Sequence, residues 1–312
     1  MKAIDLFAGS GGFSLGAVGA GVDVVWAANH WPLAVKVHAQ NHPETEHLCQ
    51  DLHQANWLNL PKHDMILASP ACQGHSKARG KDRPSHDSAR STAWAVVSAA
   101  EAHRPPICII ENVPDYLNWT LFPAWEAAMK ALGYQVSYSV LDAQYFHIPQ
   151  MRKRIFIVCM RNRTFEFPDT QPHKDLVPIR TVLDLEGGVW APTEDHARIA
   201  VGKRPLAENT KIRIAAGRKR FGDKVFYYPY FGSNLNGFTV DAPIWTITTR
   251  DRYCLVQGDQ MRILNTAEVR AAMGFPPDYR LSGKSKMDKF LLGNAVVPAV
   301  AIWLIRKVME AA

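Results

Sequence analysis

The chain has 312 residues, 47% of them hydrophobic, enough for a sizeable core in one large domain or two smaller ones. Net charge is +7 and the sequence pI about 9.1, a balance that suits a polyanionic partner. Five cysteines at irregular spacing argue against a disulfide framework and for a reducing compartment. Met1-Lys-Ala runs straight into a strand pattern with no signal peptide, and no apolar run reads as long enough to span a bilayer.

Ala3–Phe7 reads as a strand, Gly9-Ser-Gly-Gly12 as a tight glycine turn, and 13–19 as a short helix. Strand, glycine turn and helix open a nucleotide-binding α/β unit, because glycines admit a ligand close to the backbone and the helix start offers unpaired N–H groups. Val22–Ala27 reads as a second strand. It ends in Asn29-His-Trp31, where the nucleotide-binding pattern would want an acidic residue for ribose hydroxyls. A third strand at 47–50 is followed by Asp51-Leu52, where such folds place a residue near adenine. His47, Cys49 and His53 read as a strand end, since no second ligand pair follows at zinc-site spacing.

Asp64–Ala68 is an apolar strand leading to Ser69-Pro-Ala-Cys-Gln-Gly-His-Ser76. Cys72 therefore falls at the rim of the sheet, ahead of Lys77, Arg79, Lys81, Arg83 and Arg90, cations that favour the thiolate. A helix from about 88 to 103 precedes Ile107–Ile110, a strand continuous enough to be buried on both faces. That strand ends in Glu111-Asn-Val113, and Asn118 is expected to cap a helix ending at Gly133. Strands at 136–141 and 155–159 follow. Arg152 and Arg154, two apart in an extended segment, face one side and fit anion binding.

The texture changes near residue 160. Between Arg198 and Lys224 lie nine Lys or Arg against two Asp or Glu, an excess equal to the whole chain's +7. Arg218-Lys-Arg220 reads as a phosphate clamp and Ser233-Asn-Leu-Asn236 as a base reader. Regular structure returns at 244–249. Asn265 and Glu268 form a capping pair for a helix ending at Gly274, and Gly293-Asn-Ala-Val-Val-Pro298 opens a closing apolar helix through Met309.

In order, these stretches resemble the motifs of the cytosine-C5 DNA methyltransferase family along nearly the whole chain. Asp5-Leu-Phe-Ala-Gly-Ser-Gly-Gly12 is similar to its first motif. Cys72, with Gln73 and Ser76, matches its nucleophile motif, although Ala71 stands where the family has Pro. Glu111-Asn-Val113 matches its Glu-Asn-Val motif, Gln150, Arg152 and Arg154 its Gln-x-Arg-x-Arg motif, and 293–298 its closing motif.

The resemblance implies a doubly wound, Rossmann-like S-adenosylmethionine-dependent α/β fold with a smaller, irregular target recognition domain. Residues 1–160 would be catalytic and cofactor-binding, 161–245 would recognise the target, and 246–312 would return to the catalytic domain. S-adenosylmethionine would lie against Phe7, Ala8, Gly9, Ser10, Gly11, Gly12, His30, Trp31, Asp51, Leu52, Asn294 and Ala295, with Asn29 or His30 on the ribose. A thiolate of Cys72 adding to C6 would make C5 nucleophilic. Glu111 would serve N3, and Arg152 and Arg154 would hold O2 and nearby phosphate. The cytosine would be flipped from duplex DNA, with residues 74–90 closing as a lid. The same resemblance implies a cytoplasmic monomer acting on double-stranded DNA beside a cognate restriction endonuclease. Its rivals are a cytosine-C5 methyltransferase of RNA and a catalytically silent DNA-binding regulator. The Cys-Phe-Thr motif of the transfer-RNA branch is absent, and the intact Cys72, Glu111, Arg152 and Arg154 oppose a silent scaffold.

Overall fold

The computed structural model describes residues 1–71, 92–169, 172–230 and 236–312. Its N-terminal half lays down β1 (Lys2–Leu6), α1 (Gly12–Gly19), β2 (Asp23–Asn29), α2 (Pro32–Asn41), β3 (Glu46–Cys49) and β4 (Met65–Ala68). After these come α3 (Ala93–His103), β5 (Ile107–Asn112), α4 (Phe122–Ala131), β6 (Tyr134–Asp142), β7 (Gln150–Met151) and β8 (Lys153–Arg161). Seven strands form one sheet in the order β3-β2-β1-β4-β5-β8-β6. The first five are parallel, and β8 runs antiparallel to both neighbours. Helices cover both faces, as the alternation of elements predicts.

Side-chain alternation explains the two faces. Ile4, Leu6, Cys108 and Ile110 pack against α3 and α4 on one side. Ala3, Met65, Leu67, Ile107 and Ile109 pack against α1 and the C-terminal helix on the other. Every residue of β4 and β5 is buried, which is why both read as unbroken apolar runs. One expectation shifts here. Asn118 closes a short 3-10 turn at Pro114–Asn118, and α4 starts only at Phe122, with Pro123 setting the backbone of its first turn.

The second half builds β9 (Ala191–Pro192), α5 (Asp195–Ala200), α6 (Glu208–Phe221), β10 (Phe226–Pro229), β11 (Phe238–Thr239), β12 (Ile244–Trp245), β13 (Tyr253–Gln257) and β14 (Gln260–Ile263). α7 (Thr266–Ala272), α8 (Ser285–Asn294) and α9 (Pro298–Ala311) close the chain. This region is more regular than its sequence suggests. β11-β10-β13-β14-β9 make an antiparallel sheet, and α6 is a helix of 14 residues. The helix escapes a periodicity search because the positions it buries are Thr210, Arg213, Ile214 and Gly217. Their spacing is helical, but only Ile214 is a strong apolar signal.

The second sheet runs past residue 245: β13 and β14 are among its inner strands, and β14 ends at Ile263. This sheet shares a core with the catalytic body. Phe226, Tyr228, Cys254 and Val256 face α6, whereas Tyr227, Tyr253 and Leu255 enter the main core.

Ser285–Ala311 is apolar and long enough to cross a membrane by length and composition, contrary to the sequence reading. The stretch is broken between Asn294 and Pro298, and 67% of its most apolar window is buried in the protein body.

Candidate active site and cofactor turn

Parallel strands deliver their carboxyl ends to a single rim, where Phe7 follows β1, Asn29 ends β2 and Glu111 lies near the end of β5. Ala68 of β4 lies opposite Ile110 of β5, which brings the following segment alongside Glu111 and Asn112. Asn112 Nδ2 donates to the Pro70 carbonyl at 3.1 Å, and the Ala71 amide donates to Thr92 Oγ1 at 3.0 Å. The two described ends of the segment that carries Cys72 are thus fastened to each other and to β5. Cys72 itself, the lid residues 74–90 and Ser233-Asn-Leu235 lie outside the described residues.

Glu111 is 5% exposed. Burial raises its pKa, opposed by Arg154, by Arg152 and by the nearby Ser69 hydroxyl. Arg154 Nε stands 3.1 Å from Glu111 Oε1. The site therefore holds a buried carboxyl group whose pKa is pushed up by burial, with the Arg154 guanidinium against it.

Arg152 is tied to the backbone of three later residues. Its Nη1 donates to the Ile247 carbonyl at 3.0 Å, and its Nη2 to Gly293 and Ala295 at 2.9 and 3.0 Å. The side chain is 2% exposed, and these carbonyls hold its guanidinium near enough to Glu111 to act on that carboxyl. Gln150 is equally buried. Its Oε1 accepts from the Ile247 amide, and its Nε2 donates to the Ala272 carbonyl. Two of the three residues in this motif hold the segment after β12 to the closing helices, while Arg154 reaches Glu111.

The glycine turn lies on the same rim. Phe7, Gly9 and Gly11 adopt φ of 62°, 56° and 87°, the left-handed region that glycine favours. Ala8 N donates to Ala28 O, and Gly11 N to Ala8 O. A Cβ added at Gly9 would meet only the Phe7 carbonyl, at 3.8 Å, so the space before the turn is open. The buried Ser10 hydroxyl has no partner among the described residues. Behind the turn, a Cβ at Gly12 would stand 2.1 Å from the Val296 carbonyl, so the closing motif rests directly on α1.

The other expected cofactor residues border this space unevenly. Asn29 Oδ1 accepts from the Trp31 amide at 2.9 Å, and Trp31 meets Phe290 edge-on at 5.5 Å. His30 is exposed. Asp51 is exposed and caps the turn Leu52–Gln54 by accepting from His53 N, while Leu52 is a core residue at 2% exposure. Asn294 is exposed at the end of α8, and Ala295 is buried with its carbonyl on Arg152. The open cradle at Gly9 and the Ser10 hydroxyl, without a partner among the described residues, fit a nucleoside-bearing donor.

Part of the basic stretch is also committed internally. Arg218 Nη2 donates to Asp259 at 2.9 Å, Thr193 at 2.7 Å and the Gly258 carbonyl at 3.1 Å. Arg220 lies over the Phe221 ring and donates to the Gly237 carbonyl. The cluster read as a phosphate clamp therefore stitches α6 to the second sheet. Lys203, Arg204, Lys219 and Lys224 are exposed.

A family model for C-5 cytosine-specific DNA methylases matches residues 1–310, and the chain belongs to that family. It is 26% identical over 308 residues to the Type II methyltransferase M.HhaI of Haemophilus parahaemolyticus, covering 95% of this chain and 90% of that protein. It is 27% identical over 340 residues to M.MthTI of Methanothermobacter thermautotrophicus, covering 99% and 97%. Among solved structures, the fold is similar to that of a prophage protein of E. coli described as a DNA modification methyltransferase, with TM-score 0.72, 20% identity and 99% of both chains covered. It is also similar to S. pombe Dnmt2 methyltransferase, with TM-score 0.69, 18% identity and 100% and 98% covered. The chain is accordingly an S-adenosylmethionine-dependent DNA cytosine-C5 methyltransferase.

Proposed function

We propose that Cys72, Glu111 and Arg154 act on a cytosine flipped out of double-stranded DNA, with Arg152 holding the framework around them. The carrying observation is the pair of contacts that fix Pro70 and Ala71 beside Glu111, because Cys72 is the next residue along the chain. The Cys72 thiolate adds to C6 of the base. Glu111, its pKa raised by burial, gives N3 a proton or a strong hydrogen bond as charge develops there. Arg154 holds Glu111 in place and offers its remaining N–H groups to O2. S-adenosylmethionine, when bound, supplies the methyl group for C5. Residues 7–12, Asn29 or His30, Trp31, Asp51, Leu52, Asn294 and Ala295 form its site.

Residues 161–245, with the second sheet that runs on to Ile263 as scaffold, select the DNA sequence. The protein acts as a monomer in the cytoplasm, and a cognate restriction endonuclease accompanies it. The Type II names of the relatives support that setting. The test is a target duplex carrying 5-fluorocytosine, incubated with enzyme and S-adenosylmethionine. Fluorine cannot leave C5 as a proton, so a denaturant-stable protein–DNA adduct should accumulate. Wild-type enzyme active on ordinary DNA that forms no adduct would rule out covalent addition by Cys72.

A further inference from the structure

Behind the glycine turn lies a buried polar cluster that the chemistry above does not use. The Tyr279 hydroxyl donates to the Ser10 carbonyl at 2.5 Å, across a separation of 269 residues. His42, 8% exposed, hydrogen-bonds to the Gly11 backbone, and its Nε2 lies 3.4 Å from the Tyr279 hydroxyl. His38, 1% exposed, joins the Ser14 hydroxyl at 3.0 Å through Nε2 and His47 at 2.7 Å through Nδ1. Ser14 in turn donates to Asp5 at 2.7 Å. These groups converge on one residue. A Cβ added at Gly11 would meet Tyr279 Oη at 2.5 Å, His42 Nε2 at 3.0 Å and His38 Cδ2 at 3.1 Å.

His38, Asn41 and His42 have the i, i+3, i+4 spacing of one helix face. Asn41 fastens Tyr279's segment to that face. Its Nδ2 donates to the Arg280 carbonyl and its Oδ1 accepts from the Arg280 amide, both at 2.8 Å.

We propose that Tyr279 and His42, backed by His38, are positioning residues for the methyl donor. The proposal rests on the reading of residues 7–12 as the donor's turn. Peptide units are planar, so holding a carbonyl on one side fixes the direction of the amide that follows it. Tyr279 and His42 hold the Ser10 and Gly11 peptides from behind. The turn then meets its ligand already ordered, with less conformational entropy to lose on binding.

The test uses Tyr279→Phe in the full-length enzyme. The ring keeps its packing against Phe275, at 4.8 Å, and only the hydroxyl is removed. S-adenosylmethionine affinity, measured by calorimetry without DNA, should fall about tenfold, as expected for one buried hydrogen bond. KM for the donor should rise by the same factor, while kcat at saturating donor falls less than about twofold, the signature of weakened ground-state binding. His42→Leu should behave alike, and His42→Gln, which retains a donor, should recover part of the affinity. Wild-type donor affinity in both Tyr279→Phe and His42→Leu overturns the proposal. Gly9→Asn separates this failure from failure of the underlying reading, because asparagine tolerates the left-handed backbone and projects into the open cradle. If Gly9→Asn abolishes donor binding while the other two variants bind normally, only the positioning role falls. If Gly9→Asn also binds normally, the donor lies elsewhere and both readings fall.

Discussion

Replacing Arg152 with methionine separates two roles for a residue that its motif alone leaves joined. The substitution keeps an apolar stem of similar length and removes a guanidinium that serves three buried carbonyls, those of Ile247, Gly293 and Ala295. A hydrogen bond from a charged donor contributes about 1.5–3 kcal/mol, and each carbonyl left buried without a partner adds a penalty of its own. Part of this is offset because a cation no longer has to be buried, so the expected net loss is about 3–5 kcal/mol. Urea unfolding would show it as a lower midpoint at unchanged slope. Arg154→Met should do the opposite, with a smaller stability loss and a large fall in turnover. Its side chain is 17% exposed, and Glu111 can take up a proton when its partner is gone. The reasoning is refuted if Arg152→Met unfolds at the wild-type midpoint yet loses activity. In that case the guanidinium serves substrate rather than the carbonyls.

Cys72→Ser should reduce methyl transfer to background while the melting curve stays at wild type, since a serine hydroxyl is scarcely ionised at neutral pH; near-normal turnover would remove Cys72 from the mechanism. Asp5 is fully buried, and its pKa is raised from 3.8 to about 7, so the folded chain keeps a proton there that the unfolded chain releases between those values. Wild type should therefore lose stability relative to Asp5→Asn as pH rises from about 4 to 7, by up to about 4 kcal/mol. His42, lowered to about 4, acts in the opposite sense over part of that range, so the difference between paired urea titrations is the measurement, and parallel curves would sink the assignment. Substituting Lys203, Arg204, Lys219 or Lys224 with glutamine should flatten the salt dependence of DNA binding, by about one unit of slope for each phosphate no longer neutralised. Arg218→Gln should instead lower stability, because Arg218 is tied to Asp259 and Glu194; equal salt slopes for all five variants would contradict this division.

The main sheet was legible because burial on both faces leaves a strong trace. Met65–Ala68 and Ile107–Ile110 are unbroken apolar runs, and glycine or proline punctuates them. The rim residues were legible for a related reason, since a polar side chain directly after such a run has few places to go. The second sheet was not. Its edge strands β9 and β11 are two residues long, too short for alternation to register. β10 is buried on both faces although three of its four residues are aromatic, so it reads as an aromatic cluster rather than as a strand. The carbonyls that Arg152 serves were not legible either, because Arg152 falls in the gap between β7 and β8 and its partners lie 95 to 143 positions away. Tyr279 and His42 left no local signal, since their partners lie 237 and 269 positions away.

The glycines near the N-terminus combine two demands that a turn motif alone conceals. Gly9 and Gly11 need positive φ, at 56° and 87°, and shape the ligand turn. Gly12, Gly16 and Gly19 are spaced four and three apart, so they form a row on one face of α1. A Cβ at each would meet the Val296 carbonyl at 2.1 Å, Ala301 Cβ at 2.4 Å and Ile302 Cδ1 at 2.9 Å. That row is the surface on which the closing motif and α9 dock. The first helix can sit this close to the last only without side chains between them, and this closeness puts Asn294 and Ala295 on the same rim as the turn. The family's first and closing motifs, nearly 300 residues apart, are therefore two sides of one packing contact, and an alanine at Gly12 would push the proposed donor site apart from behind.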